Sequence, residues 1–503
     1  MPFPCGTESL PPAARTNPTA IAWLDMRCQR CSEMPTRVAI VAVLLGDAGC
    51  ATVPQVHTAA APGNAVPVEI SGVHGPLSPR DAQAVLARLA AAAPNAGILE
   101  RHLAVEEAVA ESPLFTGNRV RILQDGQQTF PALFEAIRNA RHYVDLEYYI
   151  FEDVSSDGTL LSDLLIARRQ AGLEINVIYD AVGSIATSSD FLSRLQAAGV
   201  RLVQFNPLNP LKSKAHYSID DRDHRKMLIA DGELVILGGV NLSSTYESAP
   251  QARASKRDID GTAAERPRSP EKFPELWRDI DVEISGPVVP EFEKLYRQHW
   301  SEQQGPSLVE GKEPAQVESR GQEVVRIVGS TPSRSASSYY VTVLSAIRNA
   351  ERTLWVTAAY FVPTHQEKQD LMRAARRGID VRLLVPSHSD SPPALAVQHS
   401  HYTDLLEAGV KIYERDEGVL HSKSMVIDTV WSIIGSSNFD QRSVLFNDEV
   451  DAVIIGKVTG EQLENIFQKD LQHAHSIDLA SWKRRTVGAK LREQFWRRWQ
   501  KLL

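Results

Sequence analysis

The feature that most constrains this chain is a repeat. His224-Arg-Lys226-Met-Leu-Ile-Ala-Asp231 recurs as His421-Ser-Lys423-Ser-Met-Val-Ile-Asp428, 197 residues further on. The two motifs sit inside a longer likeness. Ala136-Ile-Arg-Asn-Ala140 returns as Ala346-Ile-Arg-Asn-Ala350, and Ala198-Gly-Val200 as Ala408-Gly-Val410, both at an offset of 210. Gly238-Gly-Val-Asn241 faces Gly435-Ser-Ser-Asn438 at 197, and Arg278 to Gly286 faces Asp448 to Gly456 at 170. The falling offset places 13 extra residues between Val200 and His224 in the first copy, and 27 between Asn241 and Asp279. The second insertion includes Ala249–Lys272, rich in Pro, Arg, Ala and Ser, and reads as a mobile loop.

Each copy runs through the same order of patterns. A helix-period stretch (Phe130–Arg141; Ser338–Glu351) leads to an apolar β-rich run (Tyr143–Phe151; Thr353–Val362). A second helix, a strand (Leu173–Tyr179; Ile379–Val385), another helix and a strand from Val200 or Val410 follow. Strands alternating with helices of this length form parallel sheets through crossover connections. The predicted fold is therefore α/β. Two lobes related by a pseudo-twofold axis each carry a mixed, mostly parallel sheet flanked by helices. The predicted division is an N-terminal segment 1–78, lobe one with a helical lead-in at 79–310, lobe two at 311–475, and a basic amphipathic segment at 476–503.

Within each motif His and Lys stand two apart, so on a strand they share a face. One such strand can do little alone. Two meeting across the lobe interface would gather His224, Lys226, His421 and Lys423 around one point, with Asn241 and Asn438 as amide donors. That set suits a phosphodiester. Lysines and amides offset the charge that develops on equatorial oxygens. One imidazole can attack phosphorus while the other protonates the leaving oxygen, and histidine titrates in the right range for both tasks. No carboxylate cluster has magnesium-type spacing, so neither a metal nor another cofactor is expected. Asp231 and Asp428 complete the motifs; at the ends of their strands they read more as turn-pinning residues than as reacting groups.

All four cysteines, Cys5, Cys28, Cys31 and Cys50, lie in the first tenth of the 503 residues, so no disulfide or cysteine nucleophile serves the body. Cys28-x-x-Cys31 lacks a partner pair and reads as chance. The net charge of -8 weighs against a general nucleic-acid binder. Met34-Pro-Thr-Arg37, the apolar run Val38–Leu45 and Gly46-Asp-Ala-Gly-Cys50 have the layout of an export signal at 34–50. The ending resembles a bacterial lipoprotein signal with Cys50 as the lipidated residue, although Asp47 stands where an aliphatic side chain is usual. On that reading translation starts at Met34. Ala51–Ser78 reads as a linker. Near the C-terminus, Trp482-Lys-Arg-Arg485 and Lys490 to Leu503 interleave basic residues with Trp and Leu at helical spacing. This suits either an interfacial helix on anionic lipid or a helix docked on the body by Phe495, Trp496, Trp499 and Leu502.

The doubled motif resembles the signature of the phospholipase D superfamily, and the likeness covers roughly Thr116 to Gly456. Thr116-Gly-Asn-Arg-Val120, Asp125-Gly126, Glu147-Tyr-Tyr-Ile-Phe151, Trp277-Arg-Asp279, Gly435-Ser-Ser-Asn-Phe-Asp-Gln-Arg-Ser443 and Asn447-x-Glu449 are similar to bacterial cardiolipin synthases, in the branch without transmembrane helices. The resemblance implies a covalent phosphatidyl-histidine intermediate, with His224 as nucleophile and His421 as acid, although the near-symmetry of the motifs does not separate the two. It also implies a downstream acidic residue orienting each histidine. Glu449, 28 residues after His421, matches that role, and Asp279 is its counterpart in the first copy. The implied substrates are phosphatidylglycerol and a second phospholipid, which could be phosphatidylethanolamine. The implied setting is an anionic membrane surface of the bacterial cell envelope, met by a monomer that does not bind nucleic acid. A hydrolytic phospholipase D and, more remotely, a superfamily nuclease use the same residues.

Overall fold

The computed structural model describes residues 53–56, 68–92, 98–109, 112–210, 213, 217–218, 220–247, 277–308, 318–332 and 337–500. The export-like segment 34–50 with Cys50, the loop Ala249–Lys272 and Leu502 lie outside them.

The first repeat copy contributes β3 (Leu114–Gln124), α1 (Asp125–Asn139), β4 (Tyr143–Tyr148), α2 (Leu161–Gln170), β5 (Glu174–Asp180), α3 (Ser189–Ala197), β6 (Arg201–Phe205), β7 (Arg222–Asp223), β8 (Lys226–Ala230), β9 (Leu234–Gly238), β10 (Trp277–Arg278), β11 (Ile280–Ser285) and α4 (Val289–Glu302). Two short strands, β1 (Ile70–Gly72) and β2 (Gly75–Pro76), precede it. Strand–helix–strand units give the parallel pairs β6–β5 and β5–β4. The remaining pairs, β4–β8, β8–β9, β9–β11 and β11–β3, are antiparallel.

The second copy repeats this plan with β12 (Glu323–Ser330), α5 (Ser338–Asn349), β13 (Thr353–Ala358), α6 (His365–Arg376), β14 (Asp380–Pro386), α7 (Pro392–Glu407), β15 (Lys411–Arg415), β16 (Val419–Leu420), β17 (Lys423–Ile427), β18 (Trp431–Gly435), β19 (Asn447–Ile455) and α8 (Lys457–Leu471). Here too β15–β14–β13 is parallel, and β13–β17–β18–β19–β12 is antiparallel throughout. Each sheet is thus mixed, parallel on its outer side. β3 and β12 pair antiparallel and make the two sheets continuous, and residues from Ala51 onward form one compact unit.

The strands carry apolar residues at almost every position because both faces are covered. In β8, Leu228 and Ala230 point into the core beneath the helices of the first copy. Met227 and Ile229 point the other way, into a core shared by both copies with Val325, Val426, Val450 and Ile454. β17 alternates likewise, Met425 and Ile427 one way and Val426 the other. Each of these side chains contributes roughly 1.5–3 kcal/mol on burial, so the central strands are held from two directions.

Part of the expected linker Ala51–Ser78 is structured. Ile70 and Ser71 pair in parallel with Leu114 and Phe115, and Gly72 pairs with Gly75. The Val56 carbonyl accepts hydrogen bonds from Arg348 and from Gln366 Nε2. Three-residue strands leave no readable alternation, and only a neighbouring edge strand makes them stable.

Candidate active site

Asp231 and Asp428 do not reach the same place as the histidines. Each lies at the far end of its strand, about 16 Å from the lysine at 3.3 Å per residue. Asp231 accepts backbone N–H bonds from Arg141, His142 and Tyr143, and Asp428 from Glu351, Arg352 and Thr353. Both have a positive φ of 52°. They therefore cap the entry of β4 and β13, and the strand carries them away from the histidines.

The histidines themselves sit just before β8 and β17, in the break after β7 and β16. Those two short strands determine the site. β7 runs parallel to the start of β19, and β16 runs parallel to β10. Each motif is therefore stitched to the other copy. The His224 N–H donates to the Asp448 carbonyl at 2.9 Å and the His421 N–H to the Arg278 carbonyl at 2.8 Å. One residue further on in each partner stands a carboxylate. His224 Nδ1 lies 3.0 Å from Glu449 Oε2, and His421 Nδ1 lies 2.7 Å from Asp279 Oδ2.

The expected orienting carboxylates are thus both beside histidines, but crossed. Chain spacing had grouped Glu449 with His421; the structure gives Glu449 to His224 and Asp279 to His421. The reason is that the leader strands pair between copies and not within them.

Both lysines are buried and turn back on their own motif. Lys226 Nζ donates to the His224 carbonyl at 2.6 Å. Lys423 Nζ donates to the His421 carbonyl and lies 2.9 Å from His421 Nδ1. The asparagines differ. Asn241 accepts from the Ile150 N–H and donates to Tyr246 Oη, so its amide is partly committed to holding Tyr246. The Asn438 backbone N–H donates to Ser443 Oγ, while its buried Oδ1 has no hydrogen-bond partner among the described residues.

The two halves of the site are alike in backbone and unlike in side chains. Glu449 accepts from Ser436 Oγ at 2.6 Å, Ser443 Oγ at 2.7 Å and Asn447 Nδ2 at 3.0 Å. At the repeat-equivalent places around Asp279 stand Gly239, Tyr246 and Trp277. Asp279 accepts from the Ile280 N–H. Tyr246 Oη instead reaches His421 Nδ1 at 3.1 Å, and the Trp277 ring lies 4.8 Å from the His421 ring. A Cβ at Gly239 would stand 2.1 Å from Asp279 Oδ1, so only glycine admits the carboxylate there. Of these neighbours Tyr246 was not singled out in the sequence, and the others entered only as members of longer motifs. Aligning the repeat past Asn241 and Asn438 would have paired Tyr246 with Ser443. Tyr149 and Tyr360, whose rings lie 5.1 Å from His224 and 5.9 Å from His421, complete the walls.

Electrostatics follow this division. Burial would raise Glu449, but His224, Lys226 and the Ser436 hydroxyl outweigh it and hold the carboxyl below its usual range. Burial lifts Asp279 to about 6 against the pull of Lys423. Burial also pushes His224 down to about 4, opposed by Glu449, and lowers His421 well below the usual imidazole range. Lys226 falls to about 7, chiefly by burial. At neutral pH the site therefore offers two neutral imidazoles, one bonded to a firmly ionised carboxylate.

Among the described residues, Glu147, Asp223 and His299 bring metal-ligating atoms within 4.8 Å of one another. The buried Arg225 guanidinium lies among them, 3.2 Å from Glu147 and 3.4 Å from Asp448, and donates to the Glu449 carbonyl. His299 Nδ1 is 2.7 Å from Glu147. Arg225 already supplies the positive charge a cation would bring, and the group reads as a buried ion-pair network bracing the strand that carries Glu449.

Comparisons with known proteins identify the family and the fold. The family described as "Cardiolipin synthase, PLD-like domain" matches residues 133–249 and 343–471. The chain is 32% identical over 395 residues to a cardiolipin synthase of Geobacillus thermodenitrificans, covering 78% of this chain and 73% of that protein. It is 31% identical to one of Geobacillus sp. (strain WCH70), covering 78% and 74%. In fold it is similar to the crystal structure of phosphatidylserine synthase from Haemophilus influenzae, with a TM-score of 0.56 at 13% identity over 80% of this chain and 100% of that one.

Proposed function

The chain belongs to the family of cardiolipin synthases with phospholipase D-like domains and is a phosphatidyltransferase of that type; from this premise we propose that it makes cardiolipin from phosphatidylglycerol and a second phospholipid. The observation that carries the mechanism is the crossed pairing of His224 with Glu449 and His421 with Asp279. Regions 79–310 and 311–475 would each supply half of one site within a single chain.

In the proposed cycle neutral His224 donates Nδ1–H to Glu449, which fixes the tautomer and leaves the Nε2 lone pair free. Nε2 attacks phosphorus of the donor phospholipid. A bond forms between nitrogen and phosphorus, the bond to the headgroup oxygen breaks, and protonated His421 gives its proton to that oxygen. Glycerol leaves if the donor is phosphatidylglycerol, ethanolamine if it is phosphatidylethanolamine. The hydroxyl of an acceptor phosphatidylglycerol then gives its proton to His421 and attacks phosphorus, and the bond to His224 breaks. Lys226 and Lys423 offset charge on the remaining phosphate oxygens, and the arriving anionic phosphate favours the protonated state of His421.

The asymmetry of the two carboxylates favours this assignment over its reverse. An ionised, triply hydrogen-bonded Glu449 enriches the imidazole that must attack. An imidazolium beside a carboxyl that ionises only near 6 is a stronger acid than one beside a firmly ionised partner, and His421 is so placed.

The substrates place the enzyme at an anionic membrane surface of the bacterial cell envelope, where a lipidated Cys50 would add one acyl anchor. Among the described residues no helix is long and apolar enough to cross a membrane. The test is purified protein with phosphatidylglycerol vesicles: cardiolipin and free glycerol are expected. Phosphatidic acid without cardiolipin would replace the synthase reading with a hydrolase, and nicking of plasmid DNA in the absence of lipid turnover would point to a nuclease.

A further inference from the structure

The C-terminal helix α9 (Val487–Arg497) has one side docked on the body and an apolar side left bare. Its docking face is the recurrent row Ala489, Glu493, Trp496 and Gln500, the positions that are not exposed. Trp496 packs with Tyr360, Val362, Ala394 and Val397, and buried Glu493 pairs with Arg485 at 2.6 Å. The opposite face carries Val487, Leu491 and Phe495, and Trp499 in the turn that follows continues the row, spaced four apart and exposed by 72%, 62%, 54% and 44%. Of the described residues named in the docked alternative, Trp496 docks on the body, whereas Phe495 and Trp499 are exposed.

Four large apolar side chains in one row are costly in water and suit a partner that is itself apolar. The flanks say which. Arg492 and Arg498 border the row, and Lys483, Arg484, Lys490 and Arg497 lie close by in the chain. The one acid between Ser481 and Gln500, Glu493, is spent on Arg485. A cationic, apolar helix on a chain of net charge -8 is a local reversal of sign. An apolar ridge bordered by arginines fits the boundary of an anionic bilayer, where acyl chains receive the ridge and phosphates the guanidinium groups.

Its place in the fold matters as much. Trp496 and Tyr360 pack against the same buried cluster, Val362, Ala394 and Val397, and the Tyr360 ring is 5.9 Å from His421, so the helix docks on the cluster that borders the reaction centre. On the other copy Ile185, 67% exposed, follows Ser184, which donates to the carbonyl of Tyr149, the residue against His224.

We propose that the Val487–Leu491–Phe495–Trp499 ridge of α9 is the face on which the enzyme docks to anionic phospholipid, seating the mouth beside Tyr360 against the membrane. This rests on the lipid-transferase reading, and the experiment separates the two. The full chain is tested for co-sedimentation with phosphatidylglycerol–phosphatidylcholine vesicles, and separately for turnover of monodisperse short-chain phosphatidylglycerol. Leu491→Ser/Phe495→Ser is expected to lose at least about tenfold in vesicle affinity and to keep wild-type turnover of the short-chain lipid. Both side chains are more than half exposed, so a thermal melt should be unchanged. Arg492→Gln/Arg498→Gln should weaken binding to phosphatidylglycerol vesicles and leave binding to pure phosphatidylcholine vesicles unchanged. Wild-type vesicle affinity in the Leu491/Phe495 variant would overturn the proposal. So would a wild-type dimer that this variant dissociates, since a second copy would then cover the ridge. No short-chain turnover by the wild type, with vesicle binding intact, would instead overturn the transferase reading and leave the docking face standing.

Discussion

His224 and His421 differ both in their own bonds and in what holds their partners. His224 Nδ1 meets the two oxygens of Glu449 alone, whereas His421 Nδ1 is shared among Asp279, Tyr246 and Lys423. Either histidine changed to alanine should cut turnover of natural lipid by about 10^4-fold. The two should separate on a donor whose leaving group needs no proton. His421→Ala should then still form a phosphatidyl adduct detectable by mass spectrometry, and His224→Ala should not; the reverse outcome would exchange their roles. Glu449→Gln removes the charge that holds the His224 imidazole up. The acidic limb of kcat/KM, set by a group near pH 4, should therefore move lower, while the rate falls by about 10^2-fold or more. On the alkaline side, activity should decline above pH 7 as Lys226 loses its charge.

At the scale of the element, β8 and β17 each begin at a lysine beside the reaction centre and are followed by an aspartate that ties three backbone N–H groups at the entry of β4 or β13. Asp428→Ala should therefore cost about 3 kcal/mol of stability, seen as a lower Tm, with the activity of the folded fraction nearly unchanged. A catalytic Asp428 would give the opposite pattern. Gly239→Ala is the converse case. Its Cβ would displace Asp279, and a misplacement of about 1 Å should cost about 10^2-fold in kcat. Ser436→Ala, at the equivalent position, deletes one donor to Glu449 without a clash and should cost less. A comparison of the two rates checks whether Asp279 is positioned sterically. The order of elements was legible in the sequence because two copies of one pattern reinforce each other. The short β1, β2, β7, β10 and β16 were not, because two or three residues carry no period and are stable only against a neighbour.

At the scale of the whole molecule, the two copies share an apolar core and exchange short strands, so neither histidine has its carboxylate until both copies are folded. Activity should therefore be first order in protein concentration, with both half-sites in one chain. A chelator should leave the rate unchanged, because the charges around phosphate are met by Lys226 and Lys423. A rate that rises with the square of concentration, or that chelator abolishes, would require a different assembly of the site.

The sequence by itself determined the chemistry on offer. The doubled motif, the same order of flanking blocks in each copy and the lack of cysteine after Cys50 restrict the body to histidine, lysine and carboxylate chemistry within a repeated α/β frame. Local patterns do this because period and residue type depend only on near neighbours in the chain. Which carboxylate serves which histidine, that Tyr246 and Trp277 meet His421, and which face of α9 is left bare were decided by the tertiary structure alone. Those are contacts between residues about 140 to 230 apart, or between a helix and the body it docks on, and chain spacing carries no record of such a pairing when two near-identical partners compete for it.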